Sequence, residues 1–481
     1  MEINIKQTDN FSSGSYVLNE KRSPLNVFQN CNSIFLTQEN NFSLRNEILK
    51  LIIESKEVLK ICSFIITDRD IFDAILEKAK TSNVAIFILT QLDENKLKSS
   101  SSLHDFLTEE EIKENPSNTH LLHIKNLFDN GVHVRASITA HAKFIIADRK
   151  LGFITSANLT TPSLTFNTES GVYLGENDAQ ELDKLFDVIF QRGTKYRQFL
   201  SISKKNKMLV VQVDTKIEKR FLPDSSISNL RYTYEDETHN LYDQIIEIIN
   251  DASTYLYLST YSIVGLRFLP EFIQAIKGAL KRGVLINIFC RGMNYRNDHL
   301  NDSNTLYAEG CKIFGDMYNH SKGIINEKTG LIFTANIDGN HGLKNGFEVG
   351  YILNEIQRFE FLQIHKYLID TGFYVFNNKP SRIELFNTYT IYENSKEIKP
   401  PVFPKDILIS IKNGLKVIEK ELSEQPLFYG RSTGCDFIIA GNSFYKCKVK
   451  DNTFEIFDNE NPRFDIEKYI LKYSNLKIIF N

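Results

Sequence analysis

The feature that most constrains the fold of this chain is an internal repeat. Residues 59–89 contain an apolar run, an amphipathic stretch and a second apolar run, and residues 255–289 repeat that order. The apolar runs are short and rich in β-branched and aromatic residues, which is typical of buried strands, and the stretch between them has helical spacing. Strands joined by a helix are parallel neighbours in an α/β sheet. The sequence therefore predicts two related α/β halves.

The second part of each repeat also matches. "HVRASITAHAKFIIADRKLGFITSANLT", from His133, aligns with "CKIFGDMYNHSKGIINEKTGLIFTANID", from Cys311. A strand-like segment follows each, "ESGVYL" from Glu169 and "EVGYIL" from Glu348, and a helix-patterned tail comes next. Repeats of this length indicate one supersecondary unit used twice. We predict a mixed central sheet flanked by helices in each half.

The repeat also divides the chain into segments. The predicted segments are an N-terminal extension (1–40), the first half (41–200), a connector (201–240), the second half (241–378) and a C-terminal α+β appendage (379–481). Prolines near residue 400 are typical of a linker or a strand boundary. Beyond them the sequence predicts one helix, at residues 406–422, and several short strands.

The first half carries an extra segment, roughly residues 93–120, that the second half lacks. It contains a serine run and the acidic stretch "TEEEIKE". One interpretation is a solvated excursion on the surface. The other is a lid or substrate rim, because long insertions in compact domains are often functional.

Composition narrows the class of protein. The formal net charge of −3 argues against a uniformly basic surface but not against a local basic cleft. Apolar runs are shorter than the roughly 20 residues that span a bilayer, and residues 1–10 lack the pattern of a signal peptide. Six cysteines without close pairs predict free thiols in a reducing compartment. We therefore expect a cytoplasmic protein without a transmembrane segment.

Polar residues recur at matched positions in the two repeats. His141-x-Lys143 is repeated as His320-x-Lys322. A hydroxyl residue and an asparagine follow each histidine, and a glutamate stands 28 residues after it: Ser156, Asn158 and Glu169 in the first half, and Thr334, Asn336 and Glu348 in the second. Core strands do not normally carry such sets, because every buried polar group needs a partner. The pattern predicts one polar site where the halves meet.

This pattern resembles the HKD motif of the phospholipase D superfamily. In that motif an acidic residue follows the lysine by five positions, here Asp148 and Glu327, and Ser-x-Asn comes next. The first copy, "HAKFIIADRKLGFITSAN", is close to the family pattern. The second has Glu327 for aspartate and Thr334 for serine, and both changes keep the functional group. The resemblance covers about residues 50–375 and implies a phospholipase D-like duplicated α/β sandwich with two pseudo-twofold halves.

The resemblance also implies a role for each motif residue. His141 and His320 would be nucleophile and general acid, with His141 favoured as the nucleophile. The remaining roles would be phosphate binding by Lys143, Lys322, Asn158 and Asn336, supporting hydroxyls from Ser156 and Thr334, orientation of the histidines by Glu169 and Glu348, and a structural acid at Asp148 and Glu327. No cofactor or metal ion is implied. One chain supplies both motifs, so catalysis does not require a dimer.

Phosphodiester cleavage explains these residue types. Negative charge on the equatorial oxygens must be stabilised while one oxygen attacks and another leaves. Lysines and asparagines supply this stabilisation without a metal ion. A neutral imidazole can attack phosphorus while a protonated one donates to the leaving oxygen. We therefore expect one histidine to be neutral and the other cationic near neutral pH.

The substrate is less constrained than the chemistry. A nuclease acting on DNA or RNA, in bacterial defence or nucleic-acid processing, is the first hypothesis, and the appendage could recognise nucleic acid or a protein partner. A phospholipase D or phosphatidyltransferase is the alternative, and an inactive binding scaffold is a third. A nuclease predicts a positively charged groove, a lipid enzyme an apolar rim, and a scaffold histidines that point apart or a blocked pocket.

Other candidate sites are weaker. A metal site built from His104, His120, His123 and His133 would need carboxylates or cysteines at paired spacing, so we predict none. The glycine-containing loop at residues 340–346 should lie near the site, as a turn or a substrate contact. The "KKNK" run at residues 204–207 is predicted to be solvated.

Overall fold

The computed structural model of the protein groups the chain into two compact units. One unit comprises Ser23–Arg291 and Tyr318–Thr371, and the other comprises Met1–Arg22, Gly292–Met317 and Gly372–Asn481. The described residues are 14–24, 31–92, 107–108, 111–112, 116–137, 140–191, 196–202, 207–212, 221–294, 296–380, 384, 388, 427–432, 435–440, 443–450, 453–460 and 477–478.

Eleven strands and five helices are described up to residue 212. The strands are β1 (Ser15–Leu18), β2 (Ile34–Gln38), β3 (Asn41–Phe42), β4 (Val58–Cys62), β5 (Ala85–Thr90), β6 (His133–Ser137), β7 (Phe144–Ala147), β8 (Leu151–Thr155), β9 (Glu169–Tyr173), β10 (Tyr196–Ile202) and β11 (Lys207–Gln212). The helices are α1 (Ser43–Glu54), α2 (Arg69–Thr81), α3 (Pro116–Asp129), α4 (Thr161–Thr165) and α5 (Glu176–Gln191).

The stretch from residue 225 to 377 repeats most of this order of elements. Its strands are β12 (Leu230–Tyr234), β13 (Thr238–His239), β14 (Tyr255–Ser259), β15 (Ile263–Val264), β16 (Leu285–Arg291), β17 (Lys312–Asp316), β18 (Gly323–Asn326), β19 (Gly330–Phe333), β20 (Ile337–Asp338), β21 (Phe347–Ile352) and β22 (Tyr374–Asn377). Its α-helices are α6 (Asn240–Asp251), α7 (Pro270–Lys281), α8 (Asn297–Glu309) and α9 (Glu355–Thr371), with short 3₁₀ turns at Ser225–Ile227 and Leu266–Phe268.

The larger unit contains the same sheet twice. In the first half, strands lie in the order β5-β4-β7-β8-β9-β2-β3, and in the second half the order β16-β14-β18-β19-β21-β12-β13 repeats it strand for strand. β4 and β5 are parallel and β14 and β16 are parallel, with α2 and α7 respectively between them in sequence, as the repeat predicts. The remaining pairs in this part of each sheet are antiparallel. The predicted duplicated, mixed α/β fold is confirmed.

Two sheet strands begin before the predicted boundaries. β2 lies within residues 1–40 and pairs with β9, and β12 lies within residues 201–240 and pairs with β21. Each is followed by a short hairpin strand and then a helix, α1 or α6. These helices bury one apolar face against their sheet, as amphipathic helices do, through residues such as Leu44, Ile48 and Ile245.

In the smaller unit the described residues form several strands and the helix α8. β1 pairs antiparallel with β22, and β22 pairs antiparallel with β17. The appendage contributes a sheet in the order β26-β25-β24-β23-β27, formed by β23 (Leu427–Ser432), β24 (Cys435–Ala440), β25 (Ser443–Lys450), β26 (Thr453–Glu460) and β27 (Lys477–Ile478). All four neighbouring strand pairs of this sheet are antiparallel. The helix predicted at residues 406–422 lies outside the described residues. Within the described part of the chain, no helix combines the length and apolarity needed to cross a bilayer.

Helix-on-sheet packing depends on a glycine at the same position in each half. A Cβ atom on Gly171 would lie 2.4 Å from Leu44 Cδ1, and one on Gly350 would lie 2.6 Å from Leu241 Cδ1. Gly171 and Gly350 are the third and fourth residues of β9 and β21, the strands that begin with or next to Glu169 and Glu348. The absence of a side chain therefore lets α1 and α6 approach the strands that carry the two glutamates.

We predict that Gly171→Ala destabilises the protein. Overpacking a well-packed core costs about 1–3 kcal/mol, so the free energy of unfolding should fall by that amount in urea denaturation. Gly278→Ala is the matched control, because a Cβ there has only Arg282 Nη1 within reach, at 3.5 Å, inside helix α7. That variant should be neutral or more stable by up to about 1 kcal/mol. Equal stability of the two variants would contradict the packing argument.

Candidate active site

The two motif histidines are held at the seam between the halves by backbone hydrogen bonds. The amides of His141 and Ala142 donate to the carbonyl oxygen of Phe347, at 3.0 and 2.8 Å. The amide of His320 donates to the carbonyl oxygen of Thr168, at 2.9 Å. Phe347 and Thr168 directly precede the glutamates of the opposite halves. Each histidine is thus placed beside the other half's carboxylate.

The imidazole–carboxylate pairs are crossed between the halves. His141 Nδ1 lies 2.7 Å from Glu348 Oε1, and His320 Nδ1 lies 2.7 Å from Glu169 Oε1. All four side chains are almost completely buried. Each carboxylate fixes the ring orientation of a histidine and leaves its Nε2 as the nitrogen available for chemistry. For His320, Nε2 is buried and has no hydrogen-bond partner among the described residues.

The second oxygen of each carboxylate is held by the hydroxyl residue of its own half. Ser156 Oγ donates to Glu169 Oε2 at 2.5 Å, and Thr334 Oγ1 donates to Glu348 Oε2. The threonine of the second motif thus makes the same contact as the serine of the first. Each glutamate therefore joins a hydroxyl of its own half to a histidine of the other.

The two motif lysines are fully buried in the same region. Lys143 Nζ donates to the carbonyl oxygen of His141 at 2.6 Å, and Lys322 Nζ donates to that of His320 at 2.8 Å. A buried ammonium group is costly unless it is paired, and these lysines interact electrostatically with Glu169 and Glu348. The sequence-predicted histidines, lysines, hydroxyls and glutamates are therefore brought together.

Burial makes both imidazoles less basic than a free histidine. Desolvation lowers the pKa of His141, and Lys143 lowers it further against the opposing effect of Glu348. The pKa of His320 lies well below its ordinary value for the same reason, with Lys322 as the next cause. Both rings are thus neutral near pH 7 before a substrate anion binds. This differs from the expectation of one cationic histidine, because the cost of burial acts on both.

The groups of the site whose pKa lies near 7 are instead a glutamate and a lysine. Burial raises the pKa of Glu169 to about 7, against the opposing charge of Lys322. Burial lowers the pKa of Lys322 to about 7, against the opposing charge of Glu169. For Glu348, burial acts upward, but His141 and Lys143 outweigh it and hold the pKa below its ordinary value. The two halves therefore share the histidine–glutamate geometry, but the pKa of Glu169 is raised and that of Glu348 is lowered.

The asparagine of the first motif makes a contact that was not predicted. Asn158 Nδ2 donates to Glu111 Oε1 at 3.0 Å. Glu111 belongs to the extra segment of the first half and is fully buried, as are Leu107 and Thr108. The interpretation of this segment as a solvated excursion is wrong for these residues, because they are buried and the Glu111 carboxylate accepts hydrogen bonds inside the protein. The only sequence feature that could have indicated this contact was the acidic "TEEEIKE" stretch, and a run of charges is more typical of a solvated surface.

The acidic residues of the motifs lie at the edge of the fold. Asp148 accepts backbone hydrogen bonds from Lys56, Glu57 and Val58, where β4 begins. Glu327 accepts from the amide and hydroxyl groups of Ser253 and Thr254, just before β14. These donors lower the pKa of both acids, to about 2 for Glu327, although burial acts upward. Such contacts anchor the strand that leads to the site.

The weaker candidates are placed as follows. His120 is buried, with Nδ1 accepting from the amide of Ile66 and Nε2 2.7 Å from the carbonyl of Gln91, and burial lowers its pKa to about 4. His123 stacks on Phe72. No group of metal-ligating side chains occurs among the described residues. His104 and residues 204–206 lie outside that part of the chain.

The loop at residues 340–346 does lie beside the site. A Cβ atom on Gly342, whose φ is +80°, would come within 3.1 Å of Glu348 Oε1. The left-handed backbone and the close approach both require glycine here. The loop therefore packs directly against the carboxylate that holds His141.

Comparison with known proteins matches the first half to a family. Residues 48–190 match the family described as "Cardiolipin synthase, PLD-like domain". No curated protein sequence matches the chain.

Solved structures with similar folds have low sequence identity. They include a phosphatidylserine synthase from Haemophilus influenzae Rd KW20 (10% identity, TM-score 0.48, 81% of this chain and 98% of that one) and a polyphosphate kinase from Porphyromonas gingivalis (14%, 0.44, 69% and 49%). A third is Nuc, a phospholipase D family member from Salmonella typhimurium (20%, 0.26, 30% and 96%).

The class of the protein follows from the family match together with the duplicated fold. The sheet order of the matched half is repeated in the second half, and both halves carry the motif residues at corresponding positions. The first half is thus a phospholipase D-like domain, and the second half repeats its fold and its motif positions.

The crossed pairing predicts which histidine responds to which glutamate. Glu348→Gln removes the carboxylate from His141 Nδ1 and should change the ring nitrogen shifts of His141 in ¹⁵N NMR, although these residues come from opposite halves. His320, which is paired with Glu169, should change much less. Glu169→Gln should give the reverse pattern. A larger response of the histidine in the same half would contradict the pairing.

Proposed function

We propose that the protein is a metal-independent phosphodiesterase that acts through a phosphohistidine intermediate, and that its substrate is DNA or RNA. The observation that supports the chemistry best is the pair of crossed histidine–glutamate contacts beside two buried lysines. Oriented imidazoles supply a nucleophile and an acid, and the lysines supply fixed positive charge for the phosphoryl oxygens.

In the proposed reaction His141 Nε2 attacks phosphorus and the bond to the leaving oxygen breaks. That oxygen takes its proton from His320, so a cationic His320 is needed at this step. The negative phosphodiester would raise the pKa of both imidazoles when it binds. Water then attacks the phosphohistidine, His320 accepts the water proton, and the phosphorus–nitrogen bond breaks. The net result is hydrolysis, with both histidines restored.

The remaining motif residues take supporting roles in this proposal. Lys143, Lys322, Asn158 and Asn336 bind the phosphate, and Ser156 and Thr334 hold the two glutamates. Asp148 and Glu327 are structural, as their contacts with the starts of β4 and β14 support. Both motifs lie within one compact unit of a single chain, which is compatible with catalysis by a monomer.

The described walls of the site favour a nucleic acid over an acyl-chain lipid. The extra segment brings Thr108 and Glu111 to the site, where they contact Asn158, Thr160 and other polar groups. A lipid enzyme would need an apolar rim for the acyl chains. The described residues of this segment that hydrogen-bond at the site carry a hydroxyl and a carboxylate, which favours a polar substrate over acyl chains.

Lipid chemistry is the second candidate function. It is favoured by one observation, the match of residues 48–190 to a family described as "Cardiolipin synthase, PLD-like domain". Vesicles of phosphatidylglycerol and cardiolipin should therefore be tested alongside nucleic acids. An inactive scaffold would cleave neither.

We predict cleavage of single- or double-stranded DNA or RNA by the purified protein in excess EDTA. His141→Ala should abolish it, because the nucleophile is lost; loss of an activated nucleophile typically costs several orders of magnitude in rate. His133→Ala is the matched control, since His133 is an exposed histidine on β6 outside the site. Cleavage that persists in His141→Ala, or lipid turnover without nuclease activity, would contradict the proposal.

The proposed activity should fall as pH rises above about 7. Lys322 then loses the charge that binds phosphate, so kcat/KM should decrease with a midpoint near pH 7. Because bound phosphate raises the pKa of Lys322, the alkaline limb of kcat should lie at higher pH than that of kcat/KM. A kcat/KM that stays flat from about pH 6 to pH 9 would contradict this assignment.

A further inference from the structure

Glu111 belongs to neither motif, but its side chain contacts a motif residue at the site. It lies in the segment that the second half lacks, and its side chain is fully buried. Oε1 accepts hydrogen bonds from Asn158 Nδ2 at 3.0 Å, Thr160 Oγ1 at 2.9 Å and Ser163 Oγ at 3.0 Å. Oε2 accepts from the amide of Thr108 at 2.8 Å. Four donors from two parts of the chain thus converge on one carboxylate.

The contact with Glu111 decides which group Asn158 presents to a ligand. A side-chain amide can exchange its donor and acceptor by rotating about one bond. A carboxylate opposite Asn158 requires the NH₂ group on that side, so the other N–H of the same group remains for a phosphate oxygen. Asn158 Oδ1 is buried and has no hydrogen-bond partner among the described residues. Without Glu111, rotation of the amide would let Asn158 Oδ1 face the phosphate, and the two negatively polarised groups would repel each other.

Glu111 also acts on the charges around the site. Its negative charge raises the pKa of Lys143, Lys322 and His320, each of which burial lowers. It therefore helps to keep the lysines cationic at the pH where they must bind an anion. A residue that only filled space would have no such effect.

We propose that Glu111 is a positioning residue of the phosphate site, which orients the amide of Asn158 so that an N–H group faces the substrate phosphate. The proposal rests on the proposed function, because it takes Asn158 as a phosphate ligand. It assigns a role to the extra segment of the first half: this segment supplies the acceptor that completes the first motif.

Two substitutions separate orientation from charge. Glu111→Gln keeps an oxygen that can accept from Asn158 but removes the charge. Glu111→Met has similar volume and offers no comparable acceptor, so Asn158 can rotate. The matched control is Glu77→Gln, an exposed glutamate on α2 away from the site.

The first readout is the dissociation constant for inorganic phosphate, measured by calorimetry in EDTA well below pH 7, where Lys322 keeps its charge with or without Glu111. Glu111→Met should weaken binding about tenfold or more, the usual effect of losing a hydrogen bond to a charged group. Glu111→Gln should stay within about threefold of the wild type. In an Asn158→Ala background, Glu111→Met should have no further effect, because Glu111 acts through Asn158. Glu77→Gln should bind like the wild type.

The second readout is the pH profile of hydrolysis of bis(4-nitrophenyl) phosphate. The alkaline limb of kcat/KM should move to lower pH in both Glu111 variants, since Lys322 loses a favourable negative charge. The charged groups that act on Lys322 are Glu169, Lys143, Glu348 and Glu111, and only the last is changed. A purely structural role would lower the midpoint of thermal unfolding and leave the limb in place.

The outcomes distinguish this proposal from the proposed function. Wild-type protein that binds phosphate but hydrolyses no diester would contradict the function and leave the Glu111 comparison decisive. The proposal is overturned if Glu111→Met binds phosphate normally, if Glu111→Gln loses as much as Glu111→Met, if the loss persists without Asn158, or if the wild type binds no phosphate. Should Glu111→Met not fold, Glu111→Asp replaces it in the phosphate-binding comparisons, because the shorter side chain withdraws the acceptor from Asn158, and Glu111→Gln alone serves for the pH profile.

Discussion

The organisation of the site depends on one interaction made twice, the hydrogen bond from a histidine of one half to a glutamate of the other. Neither half holds its own histidine: His141 is paired with Glu348, and His320 with Glu169. The backbone bonds to Phe347 and Thr168 hold the same arrangement as these side-chain contacts. Each half therefore completes the other, and neither motif alone forms a site with an oriented imidazole.

Burial explains both the stability and the chemistry of this arrangement. Fully buried lysines, glutamates and histidines would each be costly alone, but together they satisfy one another. The same burial lowers the pKa of both histidines and brings those of Glu169 and Lys322 to about 7. A site with several groups near neutrality can move protons at little cost when an anion enters.

The two halves share their fold but not their surroundings. Their sheets repeat strand for strand, and Gly171 and Gly350 allow the same close approach of a helix. The first half nevertheless adds Glu111 beside Asn158, and burial raises the pKa of Glu169 while Glu348 is held low. A duplicated fold thus holds two motifs whose electrostatic environments have diverged, as a reaction with separate nucleophile and acid roles would use.

The sequence by itself determined the duplication, the strand–helix–strand order of each half and most of the residues brought together at the candidate site, because periodicity and spacing are local properties. Only the tertiary structure decided the crossed pairing, since two equivalent glutamates at equal spacing cannot show which histidine each one meets. Glu111 was missed for the same reason: its partners, Asn158, Thr160 and Ser163, are distant in sequence, and an acidic run is typical of a surface. The charge states also required the structure, because desolvation depends on everything packed around a group.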